Sequence, residues 1–158
     1  MSKKKKDTSL LKIHELVREY QLPRENLFSS VRRIRALDGV SLNIKCGESF
    51  GIVGESGCGK STLARTIMAL ESPQSGKVIF QGKILHKLNA KELRHVRSNL
   101  QMIFQDPYSS LDPRQRVGKI IAEPLSLLGD ISQKKRIEMV EDSLRNVGLS
   151  ENDILKFP

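Results

Sequence analysis

Apolar positions recur along this chain with two different periods. Val40, Leu42 and Ile44 alternate with Ser41, Asn43 and Lys45. A period of two predicts a strand with one wet face, as in antiparallel sheets. Leu11 and Ile13 open an earlier strand, and residues 17–20 continue it after a kink. Residues 21–35 carry Pro23, many charges and few apolar side chains, and read as a loop or hairpin insertion. Residues 50–53 form a short apolar run that predicts a buried strand. Leu63, Ile67 and Leu70 then fall at i, i+4 and i+7, the spacing of one helix face. That helix is expected to stop near Pro73. Residues 77–80 and 83–85, around Gln81-Gly82, read as a short hairpin.

Further on the pattern becomes helical. Asn89 with Glu92 three residues later predicts a capped helix reaching about residue 98. Residues 100–104 read as one more apolar strand, blocked after Gln105-Asp106 by Pro107. Residues 108–113 are turn-rich. Residues 117–128 look helical, with Pro124 as a kink or a fresh start. Ile137, Val140, Leu144 and Val147 trace a helical stripe begun by Ser132 and ended at Gly148. Ser150 with Asp153 caps one further turn. The pattern divides the chain into a basic tail (1–8), a core (9–105), and a connector with a helical part (106–158).

The apolar run at 50–53 and the helix after it enclose Gly54-Glu55-Ser56-Gly57-Cys58-Gly59-Lys60-Ser61-Thr62. This matches Gly-x-x-x-x-Gly-Lys-Ser/Thr, a phosphate-binding loop, in the strand-to-helix setting that such a loop requires. Backbone N–H groups must wrap a polyphosphate, so glycines stand where side chains would block the approach. The helix start directs unpaired N–H groups and its positive dipole end at the phosphates. Lys60 is expected to reach the β- and γ-phosphates, and the Ser61 hydroxyl to ligate Mg²⁺. Thr62 faces the α-phosphate through its hydroxyl or its N–H. Cys58 is either a thiol made reactive by positive potential or a small side chain that the loop tolerates.

Composition narrows the classes. The chain has 158 residues, enough for one domain with a core. Lys plus Arg exceed Asp plus Glu by 27 to 18, for a net charge of +9 that favours anionic partners. Lys3 to Lys6 lie in a polar tail read as disordered, with no apolar segment behind them to make a secretory signal. No apolar run approaches the roughly 18 residues of a membrane span. A cytosolic or peripheral protein is the expectation. Cys46 and Cys58 lack metal-ligand spacing, as do His14, His86 and His95. The histidines are read as surface or half-buried residues.

Three stretches together resemble a known family. They are Ala36-Leu37-Asp38-Gly39-Val40-Ser41-Leu42, then Gly51-Ile52-Val53 running into the phosphate loop, then Met102-Ile103-Phe104-Gln105-Asp106-Pro107-Tyr108-Ser109-Ser110-Leu111-Asp112-Pro113-Arg114. The chain resembles the amino-terminal part of an ABC-transporter ATP-binding subunit of the oligopeptide and dipeptide import type. The resemblance implies an α/β P-loop NTPase of the ABC type, with an antiparallel β edge and a partial helical subdomain. It implies ATP and Mg²⁺ as ligands, with Gln105 as the Q-loop glutamine that joins the Mg²⁺ shell. It also implies an aromatic residue that stacks on the adenine, Tyr20 or alternatively Phe28. Membrane subunits and a second ATP-binding subunit are the implied partners, at the cytoplasmic face of the inner membrane.

The sequence also lacks things the family uses. It contains no Leu-Ser-Gly-Gly-Gln signature, no apolar run ending in Asp-Glu and no later switch histidine. A fragment holding one half of an ATP site is therefore expected, with weak nucleotide binding at best and no meaningful hydrolysis. Apolar sheet edges and faces left open are a further expectation. A nucleic-acid-associated ATPase and a non-functional remnant are the rival readings. With two tyrosines, five phenylalanines, no tryptophan and no aromatic residues interleaved in a basic patch, no nucleic-acid partner is expected.

Overall fold

A computed structural model of the chain describes residues 9–24, 30–106, 110–129 and 131–158. The basic tail, Phe28 and residues 107–109 of the connector lie outside the described residues. The chain forms two compact units, Met1–Leu93 and Arg94–Pro158. This division falls inside a helix, ahead of the motif-based division after Gln105.

The first unit is built on a four-stranded antiparallel sheet: β1 (Ser9–Gln21), β2 (Arg33–Lys45), β3 (Ser75–Phe80) and β4 (Lys83–Ile84), in the order β2-β1-β3-β4. Strand β1 is central, and Leu11, Ile13 and Leu16 on it are buried. The step from Ile13 to Leu16 is three residues rather than two. A register shift lies between them, and Glu15 has a φ of 46°. One extra residue re-phases the pleat, so the apolar face stays inward across the expected kink. Opposite it, a Cβ on Gly76 would lie 2.2 Å from the Glu15 carbonyl oxygen, so only glycine permits this approach. Leu37, Val78, Phe80 and Leu85 complete the core, together with Leu63 and Thr66 from α1 (Lys60–Ile67). Buried Thr66 donates its hydroxyl to the Thr62 carbonyl at 2.7 Å and leaves no unmet polar group there.

Several expectations hold. Residues 40–45 alternate in exposure as their period of two required. The β3–β4 hairpin turns at Gln81 and Gly82, both with positive φ (48° and 79°), the pairing a tight two-residue hairpin demands. The first turn of α2 (Ala90–Arg97) has reciprocal caps: Glu92 N–H donates to Asn89 Oδ1 at 2.9 Å, and Asn89 N–H to Glu92 Oε2 at 3.0 Å.

Others fail, for physical reasons. The expected loop at 21–35 is shorter, because Gln21 and residues 33–35 are paired strand. Charge does not break an edge strand when it is matched across the ladder: Arg35 Nε donates to Glu19 Oε1 at 2.9 Å. Residues 50–53 are not a strand. Phe50, Ile52 and Val53 are exposed, Val53 to 94%. Residues 100–104 likewise have no strand, and Ile103 is 96% exposed. Apolar character without a pairing partner does not make a strand. Helix α1 ends at Ile67, short of Pro73. Ala69 sits at φ 51°, with Ala69 N–H on the Thr66 carbonyl and Leu70 N–H on the Arg65 carbonyl, both at 3.0 Å. This double closure stops the helix as a left-handed residue does.

The second unit is helical: α3 (Val117–Ala122), a 3₁₀ turn (Glu123–Leu128), α4 (Gln133–Asn146) and a final 3₁₀ turn (Glu151–Leu155). Pro124 opens the first 3₁₀ turn as a fresh start. The Ser132 hydroxyl accepts from Lys135 N–H at 3.2 Å and caps α4. Ser150 and Asp153 cap each other's backbone. The Asp153 carboxyl lies below the usual carboxylate range, first because of Lys156 and then because of the Ser150 N–H. Buried Gly118 lies against Ile154, and Val117 N–H donates to the Lys156 carbonyl at 2.9 Å. Within the α4 stripe, Val140 and Leu144 are buried, while Ile137 is 48% and Val147 72% exposed.

Two predictions follow from this packing. Leu144→Ala is expected to destabilise the helical unit by about 2–5 kcal/mol, and Val147→Ala by under about 0.5 kcal/mol. Urea unfolding followed by circular dichroism checks the pair; equal losses would place the core elsewhere. The second concerns His86, which follows β4 in the first unit. Its Nε2 is 3.1 Å from the Glu71 carbonyl, and the Thr66 backbone also lies beside the ring. Burial pushes its pKa below the usual histidine range, against backbone hydrogen bonds that raise it. The fold therefore favours neutral imidazole, and its contribution is complete above about pH 6.5, the ordinary histidine value. It is lost as pH falls below that value, where the unfolded chain takes up the proton first. Melting temperature should drop between pH 7.5 and 5.5, and His86→Gln should flatten that drop.

Candidate phosphate-binding site

The loop between β2 and α1 carries the site, with residues 54–58 exposed to solvent. Its glycines adopt backbone conformations that other residues resist: φ is 82° at Gly57 and 96° at Gly59. Gly59 is also the N-cap of α1 and makes no side-chain cap. A Cβ there would stand 2.3 Å from the Ala36 carbonyl oxygen of β2. The start of the helix is thus pressed against a strand backbone, which fixes where its first N–H groups point. The earliest intrahelical bond is Leu63 N–H to the Gly59 carbonyl, at 2.8 Å. The N–H groups of Lys60, Ser61 and Thr62 therefore have no partner inside the helix.

Lys60 folds back over the loop. Its ammonium donates to the carbonyls of Gly54 and Glu55, each at 2.7 Å, and to Cys58 Sγ at 3.4 Å. Cys58 N–H closes a turn on the Glu55 carbonyl at 3.4 Å. A Cβ on Gly54 would lie 2.7 Å from Cys58 Sγ, so these two positions share one small space. Ser61 is exposed beside Lys60 at the helix start, and Ser56 lies at the exposed tip of the loop. A glycine-rich backbone turn, a helix N-terminus without a side-chain cap and a held ammonium together fit a polyphosphate.

Tyr20 and Gln105 are not part of this loop. Tyr20, near the end of β1, is half-buried. Its hydroxyl donates to the Glu71 carboxylate, and the Arg18 guanidinium carbon sits 4.7 Å from its ring centroid. Gln105 belongs to the second unit and is exposed in a bend. Sequence reasoning missed Glu71, which also takes Arg18 Nε at 3.2 Å and Arg65 Nε at 3.4 Å. A lone glutamate after a helix gives no local signal for such a role. Arg18 did give one, since it shares a strand face with Tyr20 two residues on.

Residues 37–157 match the family model described as ABC transporter, and the chain belongs to that family. A probable peptide ABC transporter ATP-binding protein of Sinorhizobium fredii is 43% identical over 150 residues, covering 95% of this chain and 42% of that protein. A di/tripeptide transport ATP-binding protein of Pseudomonas aeruginosa is 39% identical, covering 95% and 46%. A dipeptide transport ATP-binding protein of Escherichia coli is 39% identical, covering 94% and 44%. The chain thus spans less than half the length of these relatives. Among solved structures, the ATP-binding cassette MJ0796, in a dimeric post-hydrolysis state bound to ADP and Pi, superimposes with a TM-score of 0.75 at 28% identity. That match covers 94% of this chain and 61% of the other.

The Gly59 contact makes a prediction. Gly59→Ala should lower stability by more than about 2 kcal/mol, since it combines a strained φ with a backbone clash. Gly57→Ala, with a similar φ but open space around it, should cost about 1 kcal/mol. Unfolding midpoints of the two variants decide it. Equal losses would show that the helix start is not pinned to β2.

Proposed function

We propose that the chain is the nucleotide-holding part of an ATP-binding subunit that drives peptide import through an ABC transporter. The observation that carries this reading is the Gly54–Thr62 loop, with Lys60 held across it and the uncapped start of α1 behind it. In this reading the backbone of Gly54, Glu55, Ser56, Gly57, Cys58 and Gly59 wraps the phosphates of ATP. Lys60 leaves the Gly54 and Glu55 carbonyls for the β- and γ-phosphates, exchanging dipoles for full negative charge. Ser61 would hold Mg²⁺ through its hydroxyl, and Thr62 would meet the α-phosphate. When bound, Mg²⁺ neutralises phosphate charge. Tyr20 offers its ring to the adenine.

The relatives named as peptide and dipeptide transport ATP-binding proteins support peptide as the cargo class. The dimeric state of MJ0796 supports a second ATP-binding subunit as partner. Membrane subunits complete the proposed assembly, and place the protein peripherally at the cytoplasmic face of the inner membrane. No helix among the described residues is long and apolar enough to cross a membrane. The sequence has no apolar run ending in Asp-Glu to supply a catalytic carboxylate. Nucleotide binding is the activity proposed for residues 1–158, and no residue among them is assigned a catalytic role.

Calorimetric titration with MgATP tests the reading. The chain should bind saturably, Lys60→Ala should weaken binding by at least about tenfold, and neither should release phosphate above background. Binding that is indifferent to Lys60→Ala would remove the loop from the site. Turnover abolished by Lys60→Ala would overturn the assignment of binding alone.

A further inference from the structure

We infer that Glu71 is a positioning residue for nucleotide binding, which fixes the ring of Tyr20 so that one face is presented to the base. This inference rests on the reading of Tyr20 given above. The Tyr20 hydroxyl donates to the Glu71 carboxylate, which anchors the ring at its far edge. Arg18 covers one face, with its guanidinium carbon 4.7 Å from the ring centroid. Arg18 is itself fixed: Nε donates to Glu71 Oε2 at 3.2 Å and an Nη donates to the Ser72 carbonyl at 2.8 Å. Arg65 on α1 holds the other Glu71 oxygen at 3.4 Å. One half-buried carboxylate, 19% exposed, thus sets both the edge and the covered face of the ring.

The arrangement has two consequences for a ligand. A tyrosine at the end of a strand otherwise samples several rotamers, and a base that needs one of them must first order the ring. With the ring anchored, that ordering cost is met before the ligand arrives. A cation on the covered face also drains negative potential from the ring, so the opposite face favours a neutral, electron-rich aromatic over another cation. A purine base has that character. Glu71 acts only through Tyr20 and Arg18, and no contact with the nucleotide is assigned to it.

The test titrates the whole chain with two probes, MgATP and magnesium tripolyphosphate, which lacks the base. Tyr20→Phe keeps the ring and removes the anchor; Glu71→Ala removes the anchor's acceptor. Each should weaken MgATP by about fivefold. The double variant should be no weaker than Glu71→Ala alone, because Tyr20→Phe breaks a link that Glu71→Ala has already removed. Tripolyphosphate affinity should be unchanged throughout. Glu71→Gln, which keeps an acceptor for the hydroxyl, should recover most of the lost MgATP affinity. Additive losses in the double variant, or parallel loss of tripolyphosphate, would make Glu71 a structural tie only and overturn the proposal. Tyr20→Ala with unaltered MgATP affinity would overturn the reading of Tyr20, and this proposal with it, while leaving the Lys60 result standing. Failure of the unaltered chain to bind either probe would overturn both.

Discussion

Strand β1 hydrogen-bonds along both edges, to β2 on one side and β3 on the other, and every part of the first unit is referred to it. Leu11, Ile13 and Leu16 form the floor of the core, and the flanking strands β2 and β3 extend it with Leu37, Val78 and Phe80. A strand paired on both sides cannot slip by one residue without turning its apolar set outward. The bulge at Glu15 is therefore a constraint as much as an irregularity. It shifts the phase at the place where Gly76 allows the neighbouring backbone to close in. Beyond the bulge, Arg18 and Tyr20 share one face of β1, in reach of Glu71. Strand phase, set by burial at Leu11 and Ile13 and re-set at the bulge, bears on which face Tyr20 occupies nine residues beyond Leu11.

The same reference frame reaches the phosphate loop through β2. The Ala36 carbonyl leaves no room for a side chain at Gly59, so the first turn of α1 begins against the sheet. Leu63 and Thr66, one turn further on, bury the helix and fix its rotation. The direction of three unpaired N–H groups is then set by packing, without help from a capping side chain. A residue with a side-chain oxygen at the N-cap would have satisfied one of those donors. Glycine at this position keeps them available and allows the close approach as well.

What was legible in the sequence was local. The reciprocal caps of Asn89 with Glu92 and of Ser150 with Asp153 need only their own four residues, and both are present. The turn at Gln81-Gly82 and the loop from Gly54 to Thr62 are equally self-contained. The family, too, was legible from three short stretches. The illegible parts depend on partners distant in sequence. Residues 33–35 are strand because β1 is there to pair with and Glu19 is there to meet Arg35. Residues 50–53 and 100–104 have the apolar character of strands but gain none of the hydrogen bonds that make one. The early end of α1 was hidden for another reason. An alanine takes the left-handed position that glycine usually signals, so Ala69 gave no warning. The Tyr20–Glu71 link joins positions 51 apart, and no period or motif connects them.

The held ammonium of Lys60 explains how an exposed, glycine-rich loop keeps a defined shape. Two carbonyls of the loop point at one cation, and each alone would be an exposed backbone acceptor. Such charge-assisted bonds are stronger than neutral ones, yet carbonyl dipoles do not cancel a full positive charge. The α1 dipole adds to that uncancelled charge at the same end of the helix. The loop therefore holds its form at the expense of an electrostatic surplus. An anion with several oxygens removes that surplus, since it meets the ammonium and the N–H groups of Lys60, Ser61 and Thr62 together. A single carboxylate would satisfy fewer of these donors, and a neutral ligand none of the charge. On the proposed reading this surplus, more than the number of glycines, is what selects a polyphosphate.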